Sequence, residues 1–178
     1  MRKICILLMT CCFCFCCITI NNNKFNGNRD DCIKYTILDS IKIMETYPDE
    51  YYNIHIDSIS KKILSFDDAI LPCLIEKMKD TTMTKVRIAD SYNYLVGDVA
   101  TMLIFYPKKR NIYLKQFLFQ EFKRELKDEN PDLFILEQVY YKLFFANVPS
   151  INYSNRLRFY NFVKEKVPIL SKCSYDAY

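Results

Sequence analysis

Nine cysteines and a single histidine are the residues of this chain with the most reactive chemistry. Cys11, Cys12, Cys14, Cys16 and Cys17 crowd into the stretch LMTCCFCFCCITI, residues 8–20. Thiolate metal sites space their ligands, as in paired C-x-x-C motifs, so that four sulfurs can surround one ion. This cluster lacks that spacing. A disulfide framework spreads its cysteines through a short domain to close loops, and this cluster does not. Further along, His55, Asp57 and Cys73 can be drawn as base, orienting acid and nucleophile. Side chains two apart on a helix point to different sides, however, so Asp57 would not orient His55, and Cys73 follows Pro72 on a face that reads as core. No catalytic residue is assigned. One histidine with scattered cysteines is too little for zinc, so no metal and no cofactor is expected. Asp67, Asp68, Asp90 and Asp98 could together serve acid–base chemistry on a glycan. Asp67, Asp68 and Asp98 stand at expected helix starts, where a negative charge offsets the helix dipole, and capping is the preferred reading.

The cysteine cluster fits a leader. Met1-Arg2-Lys3 gives a positive start, Ile4 to Ile20 is an uncharged apolar run, and NNNKFNGNRDD follows as a polar flank, which is the layout of a secretory signal peptide. One cysteine is then a candidate for lipid attachment. Cys17 gives the better leader length, with Cys11, Cys12 and Cys16 as alternatives, and the match to a lipobox is incomplete at each. An uncleaved anchor is the other reading, because the run is at the lower edge of what spans a bilayer. The expected location is the periplasm or outer membrane as a lipoprotein, or else the inner membrane through the anchor.

Loss of Arg2 and Lys3 with the leader lowers the net charge from +4 to +2, too little to argue for a particular partner. Residues 21–106 carry an acidic excess and residues 107–178 a basic one, so a mild dipole is expected. Cys32, Cys73 and Cys173 remain, an odd number whose pairing is left open. The tract YPKKRNIY groups Lys108, Lys109 and Arg110 between Tyr106 and Tyr113. In a cytosolic chain that would suggest nucleic acid, but export removes that partner and none is expected. The side chains offered to a protein partner are Tyr92, Tyr94, Lys108, Lys109, Arg110 and Tyr113.

These residues need a frame, and the frame reads as all-α. Glycine occurs only at Gly27 and Gly97, which leaves little for tight hairpins or phosphate-cradling loops. Ile33, Ile37, Ile41 and Met44 mark a first helical stripe, and Tyr52, Ile56, Ile59 and Ile63 a second. In SFDDAILPCLIEKMKD, Ser65 with Asp68 resembles a capping box and Pro72 should kink the helix. Residues 80–94 show no regular period and read as a polar connection. Asp98 to Phe105 is apolar nearly all round and reads as a buried helix. Leu114, Leu118, Phe122 and Leu126 mark another; Asn130-Pro131-Asp132 starts the next, with Leu133, Leu136, Tyr140 and Phe144 on its face. Phe159, Val163 and Val167 mark the last, from near Ser154. About six to seven helices are expected in one domain. The layout is a signal peptide or anchor over 1–20, a polar linker over 21–31, a helical domain over 32–172 and a tail over 173–178.

The segment AILPCLIEKMKDTTMTKVRIADSYNYLVGDVATMLI resembles the centre of small exported, lipoprotein-like proteins of the Bacteroidota. Such proteins set a Pro-bearing helix, a Thr-rich connection and a Val-Gly-Asp turn before a buried helix. The helix pair also resembles one HEAT-like unit. The resemblance implies an exported helical domain and brings no activity with it. The expected function is an envelope-tethered, non-enzymatic protein-binding module, of immunity or accessory type; a cell-envelope hydrolase using paired carboxylates is the alternative.

Overall fold

The computed structural model describes residues 32–46, 57–88, 92–106, 114–130 and 136–170. The leader with Cys11, Cys12, Cys16 and Cys17 lies outside the described residues, as do His55, Asp90, Lys108, Lys109, Arg110, Tyr113 and Cys173.

A 3-10 segment, Thr36–Ile43, comes first, followed by α1, Ser58–Leu64, and a second 3-10 segment, Asp67–Ile70, that leads into α2, Leu71–Lys77. Strands β1, Met83–Ile88, and β2, Tyr92–Leu95, precede α3, Val96–Ile104. Then come α4, Leu114–Glu121, α5, Leu136–Phe144, and α6, Pro149–Leu170. Among the described residues the chain is mostly helical, with one two-stranded antiparallel sheet.

The mainly helical expectation holds, and the sheet corrects the reading of residues 80–94 as a polar connection without regular period. Residues 83–88 alternate in the strand manner, with Thr84 and Val86 buried and Lys85 and Arg87 exposed, and three of the six, Thr84, Val86 and Ile88, are β-branched, which suits a pleated strand. The ladder is irregular between Met83 and Arg87. Thr84 repairs the irregularity: its hydroxyl donates to the Tyr94 carbonyl at 2.8 Å and accepts the Val86 N–H at 3.1 Å. Asn93 donates its side-chain amide to the Thr84 carbonyl at 2.7 Å.

The first helical stripe is also corrected. Tyr35, Leu38, Ile41 and Met44 are the buried residues, a strict spacing of three, while Ile33 is 72% exposed. A period of three is that of a 3-10 helix, in which i and i+3 eclipse, and the segment is one. Two further local readings change. The Ser65 hydroxyl donates back to the Lys62 carbonyl at the end of α1, so it does not open a capping box. Pro72 stands in the first turn of α2, where its missing N–H leaves no bond unmade, so it starts the α-helix and does not kink one.

At the centre lies α3, every residue of which is buried. Its start is pinned by the Val96 N–H to the Thr82 carbonyl at 2.8 Å and the Gly97 N–H to the Asp80 carbonyl at 2.9 Å. Gly97 has no positive φ. Its role is close approach: a Cβ there would stand 2.3 Å from the Met78 carbonyl oxygen at the end of α2. Around α3 pack the stripes of Leu114, Leu118, Phe122 and Leu126, of Tyr140 and Phe144, and of Phe159 and Val163. Helix α6 begins at Pro149, five residues ahead of the expected Ser154.

Cys32 and Cys73 form a disulfide that closes the N-terminal 3-10 segment onto α2.

Candidate functional site

Asp98 is the residue from which the site is built. It lies in the first turn of α3 at 1% exposure, and its Oδ2 accepts the Leu95 N–H at 2.9 Å. The expected capping role is therefore present. The carboxylate also takes Arg156 of α6 side-on, Nε to Oδ1 at 2.9 Å and Nη2 to Oδ2 at 3.1 Å, and Oδ1 accepts the Tyr140 hydroxyl at 2.9 Å. Burial, and then the Asp98 charge, push the Tyr140 phenol well above its ordinary range, so it remains a neutral donor. A buried carboxylate with a bidentate guanidinium and two further donors is stabilised as a structural ion. It has no lone pair left over for acid–base work on a substrate.

Arg156 carries this order outward. Its Nη1 donates to the Phe144 carbonyl at 2.8 Å, and the guanidinium sits 4.7 Å from the Phe145 ring centre. A planar, weakly hydrated cation suits such a stacked position better than an ammonium would. Phe145 in turn stacks on Tyr141 with an interplanar angle of 11°, and Tyr92 of β2 closes against both, with ring centres 5.6 Å from Tyr141 and 5.8 Å from Phe145. The Tyr141 hydroxyl is hydrogen-bonded to Tyr92, which raises its pKa above the usual phenol value. The three rings form a half-exposed platform, with Tyr92 at 41% exposure. Exposed Val148 and Ile151 follow directly in the chain, at the start of α6.

Of the partner-binding residues expected from sequence, the structure places Tyr92 on this platform. Tyr94 is corrected: at 0% exposure it packs edge-on against Tyr140 and Phe145 behind the platform and offers no surface to a partner. Alternation does not separate the two, since residues 92 and 94 lie on one face of β2; they differ because that face runs from the rim at Tyr92 to the core at Tyr94. Sequence reasoning missed Tyr141 and Phe145. The signal was the pair of doublets Tyr140-Tyr141 and Phe144-Phe145, which four residues apart give one stripe for the core and a second on its flank. Arg156, far from Asp98 in sequence, gave no local signal.

Two polar groupings lie elsewhere. Between α2 and α6, Glu76 accepts from Lys164 at 2.8 Å, Lys79 at 2.6 Å and the Tyr160 hydroxyl at 2.9 Å. Burial raises the Glu76 pKa, but these three donors outweigh it and hold the carboxyl at about 2. Both lysines are pushed up in return, chiefly by their hydrogen bonds to Glu76. The second is a cleft of about 230 Å³ between the first 3-10 segment and α2. There Lys77 lies between Asp39 at 3.0 Å and Asp80 at 3.5 Å. Burial raises Asp80, and hydrogen bonds from Thr82 with the Lys77 charge more than reverse this, leaving it low.

The arrangement drawn from Cys73, His55 and Asp57 is not assembled as a nucleophilic site. The Cys73 sulfur is bonded to Cys32, and Asp57 caps α1 by accepting the Ile59 N–H at 2.9 Å. Asp67 and Asp68 stand in the first turn of the second 3-10 segment, Asp67 at φ 50°, a left-handed conformation that aspartate tolerates better than most residues. Among the described residues, no group of three or more His, Cys, Asp or Glu is placed to hold a metal ion. No family model, no curated protein and no solved structure matches this chain.

Proposed function

We propose that this chain is an exported, envelope-tethered helical module that binds another protein without catalysing a reaction, in the manner of an accessory or immunity-type lipoprotein. The observation that carries the reading is the Tyr92–Tyr141–Phe145 platform, stacked in advance on the Asp98–Arg156 pair. Aromatic side chains of this kind dominate binding energy at interfaces, and rings already held in place have little rotamer entropy left to lose. Export is supported by the Cys32–Cys73 disulfide, since such bonds persist in oxidising compartments and are rare in the cytosol. Among the described residues no helix is long and apolar enough to cross a membrane. Attachment is assigned to the leader, by acylation at Cys17, with Cys11, Cys12 and Cys16 as alternatives, or by an uncleaved anchor. Helices α2 and α3, brought close at Gly97, are read as one HEAT-like pair. Within this proposal the chain is grouped with the Bacteroidota lipoprotein-like proteins that its central segment resembles. Paired-carboxylate hydrolysis is set aside because Asp98 is consumed by Arg156, Tyr140 and the Leu95 N–H.

The test is site-specific photo-cross-linking in the native host. A benzophenone side chain at position 92 should yield one discrete adduct that Tyr141→Ala abolishes while leaving the melting temperature near that of the parent. The same probe at exposed Lys62 should yield none. Equal adducts from both positions, or none from position 92, would overturn the reading.

A further inference from the structure

Cys32–Cys73 is the covalent tie between the first 3-10 segment and the rest of the domain. The segment's other fastenings are modest. Tyr35 donates its hydroxyl to the Ala69 carbonyl at 3.1 Å, and the Lys85 N–H reaches the Met44 carbonyl at 3.2 Å. The ion pairs of Asp39 with Lys77 and of Glu45 with Lys85 both have well-exposed carboxylates, and such pairs contribute little. What remains is the burial of Tyr35, Leu38, Ile41 and Met44, set against the entropy of ordering the segment in a helix type with poor hydrogen-bond geometry. Tyr35 also meets the Phe66 ring edge-on, and the disulfide adds to these non-covalent contacts a constraint on the undocked segment. Leu38, Asp39 and Lys42 of the same segment form one wall of the cleft, facing Lys77, Asp80 and Thr82.

We propose that the Cys32–Cys73 disulfide is a thiol-sensitive latch: exchange with a dithiol partner frees the 3-10 segment and opens the cleft while the helical core stays folded. The two sulfurs differ in access, because Cys73 is 2% exposed and Cys32 is only partly buried. A dithiol therefore reaches Cys32 first. One of its thiols gives up a proton and attacks the Cys32 sulfur; the S–S bond breaks, and Cys73 leaves as a thiolate that takes up a proton. The second thiol, deprotonated in turn, attacks the mixed disulfide and releases Cys32, whose thiolate is protonated. Two electrons pass, the protein disulfide becomes two thiols, and the dithiol becomes a disulfide. The reverse exchange, with an oxidised partner, closes the latch.

Hydrogen exchange read by mass spectrometry on the full chain tests this, in native buffer with and without dithiothreitol. After reduction, amides of residues 35–46 should exchange at least about tenfold faster, while residues 96–104 and 136–144 keep their protection. The double variant Cys32→Ser, Cys73→Ser should show the same local loss with no dithiol present. Unchanged protection over 35–46, loss of protection throughout the domain, or a bond that dithiothreitol cannot open without denaturant would each overturn the latch.

Discussion

Gly97 and Arg156 each hold the domain together at a single point. At Gly97 the constraint is space, because the backbone at the end of α2 occupies the place a side chain would need. Gly97→Val should lower stability by about 1–3 kcal/mol through overpacking, visible as a lower urea midpoint. An unchanged midpoint would show that α2 and α3 can separate freely. Gly97 was legible as a structural position because a lone glycine opens an apolar helix, but sequence could not distinguish positive φ from close approach. Arg156 was not legible at all, since its partner lies in another helix. Truncation there strands a buried Asp98 charge, so Arg156→Ala should cost about 3–5 kcal/mol. Part of that loss should return when Asp98→Asn is added, and denaturant titration of the three variants reads both effects.

Periodicity explains what could be read at the level of elements. The buried α3 and the stripes of α4, α5 and α6 follow a period of 3.6: the expected Leu114, Leu118, Phe122, Leu126, Tyr140, Phe144, Phe159 and Val163 are buried, and Leu136 is half-buried. Val139, Leu143 and Tyr160 join the core unforeseen, and Leu133 and the Val167 side chain lie outside the described residues. The first segment defeated the same test because Ile33, Ile37 and Ile41 offered an α-helical spacing, while the true stripe of Tyr35, Leu38, Ile41 and Met44 repeats every three residues. The two spacings share Ile41 and Met44 and part at Ile33. Ile41→Ala should therefore cost about 2–5 kcal/mol, and Ile33→Ala less than about 0.5 kcal/mol, in matched thermal melts. Equal losses would restore the α-helical stripe. The hairpin escaped because glycine was taken as a requirement for its turn, whereas residues 89–91, Ala-Asp-Ser, join β1 to β2 without one. The platform escaped in part because it joins β2 to α5, and no local pattern in either element reports the other.

For the whole molecule, Glu76 sets a pH dependence. Its carboxyl lies at about 2 in the folded chain against an ordinary 4.5, so its stabilisation is complete above about pH 4.5 and is lost as pH falls towards 2. Melting temperatures across that window should fall for the parent and fall less for Glu76→Gln; parallel curves would show that other carboxylates control acid unfolding. The disulfide adds a mechanical consequence. A pull entering on the N-terminal side of Cys32, as it would in a chain anchored by its leader, passes through two sulfur atoms straight into α2. The intervening chain, a sequence separation of 41 residues, carries no load. Such a domain resists being peeled from its anchored end and must yield between α2 and the C-terminus. In single-molecule stretching, the oxidised chain should extend about 140 Å less than the reduced one, the contour hidden behind the bond.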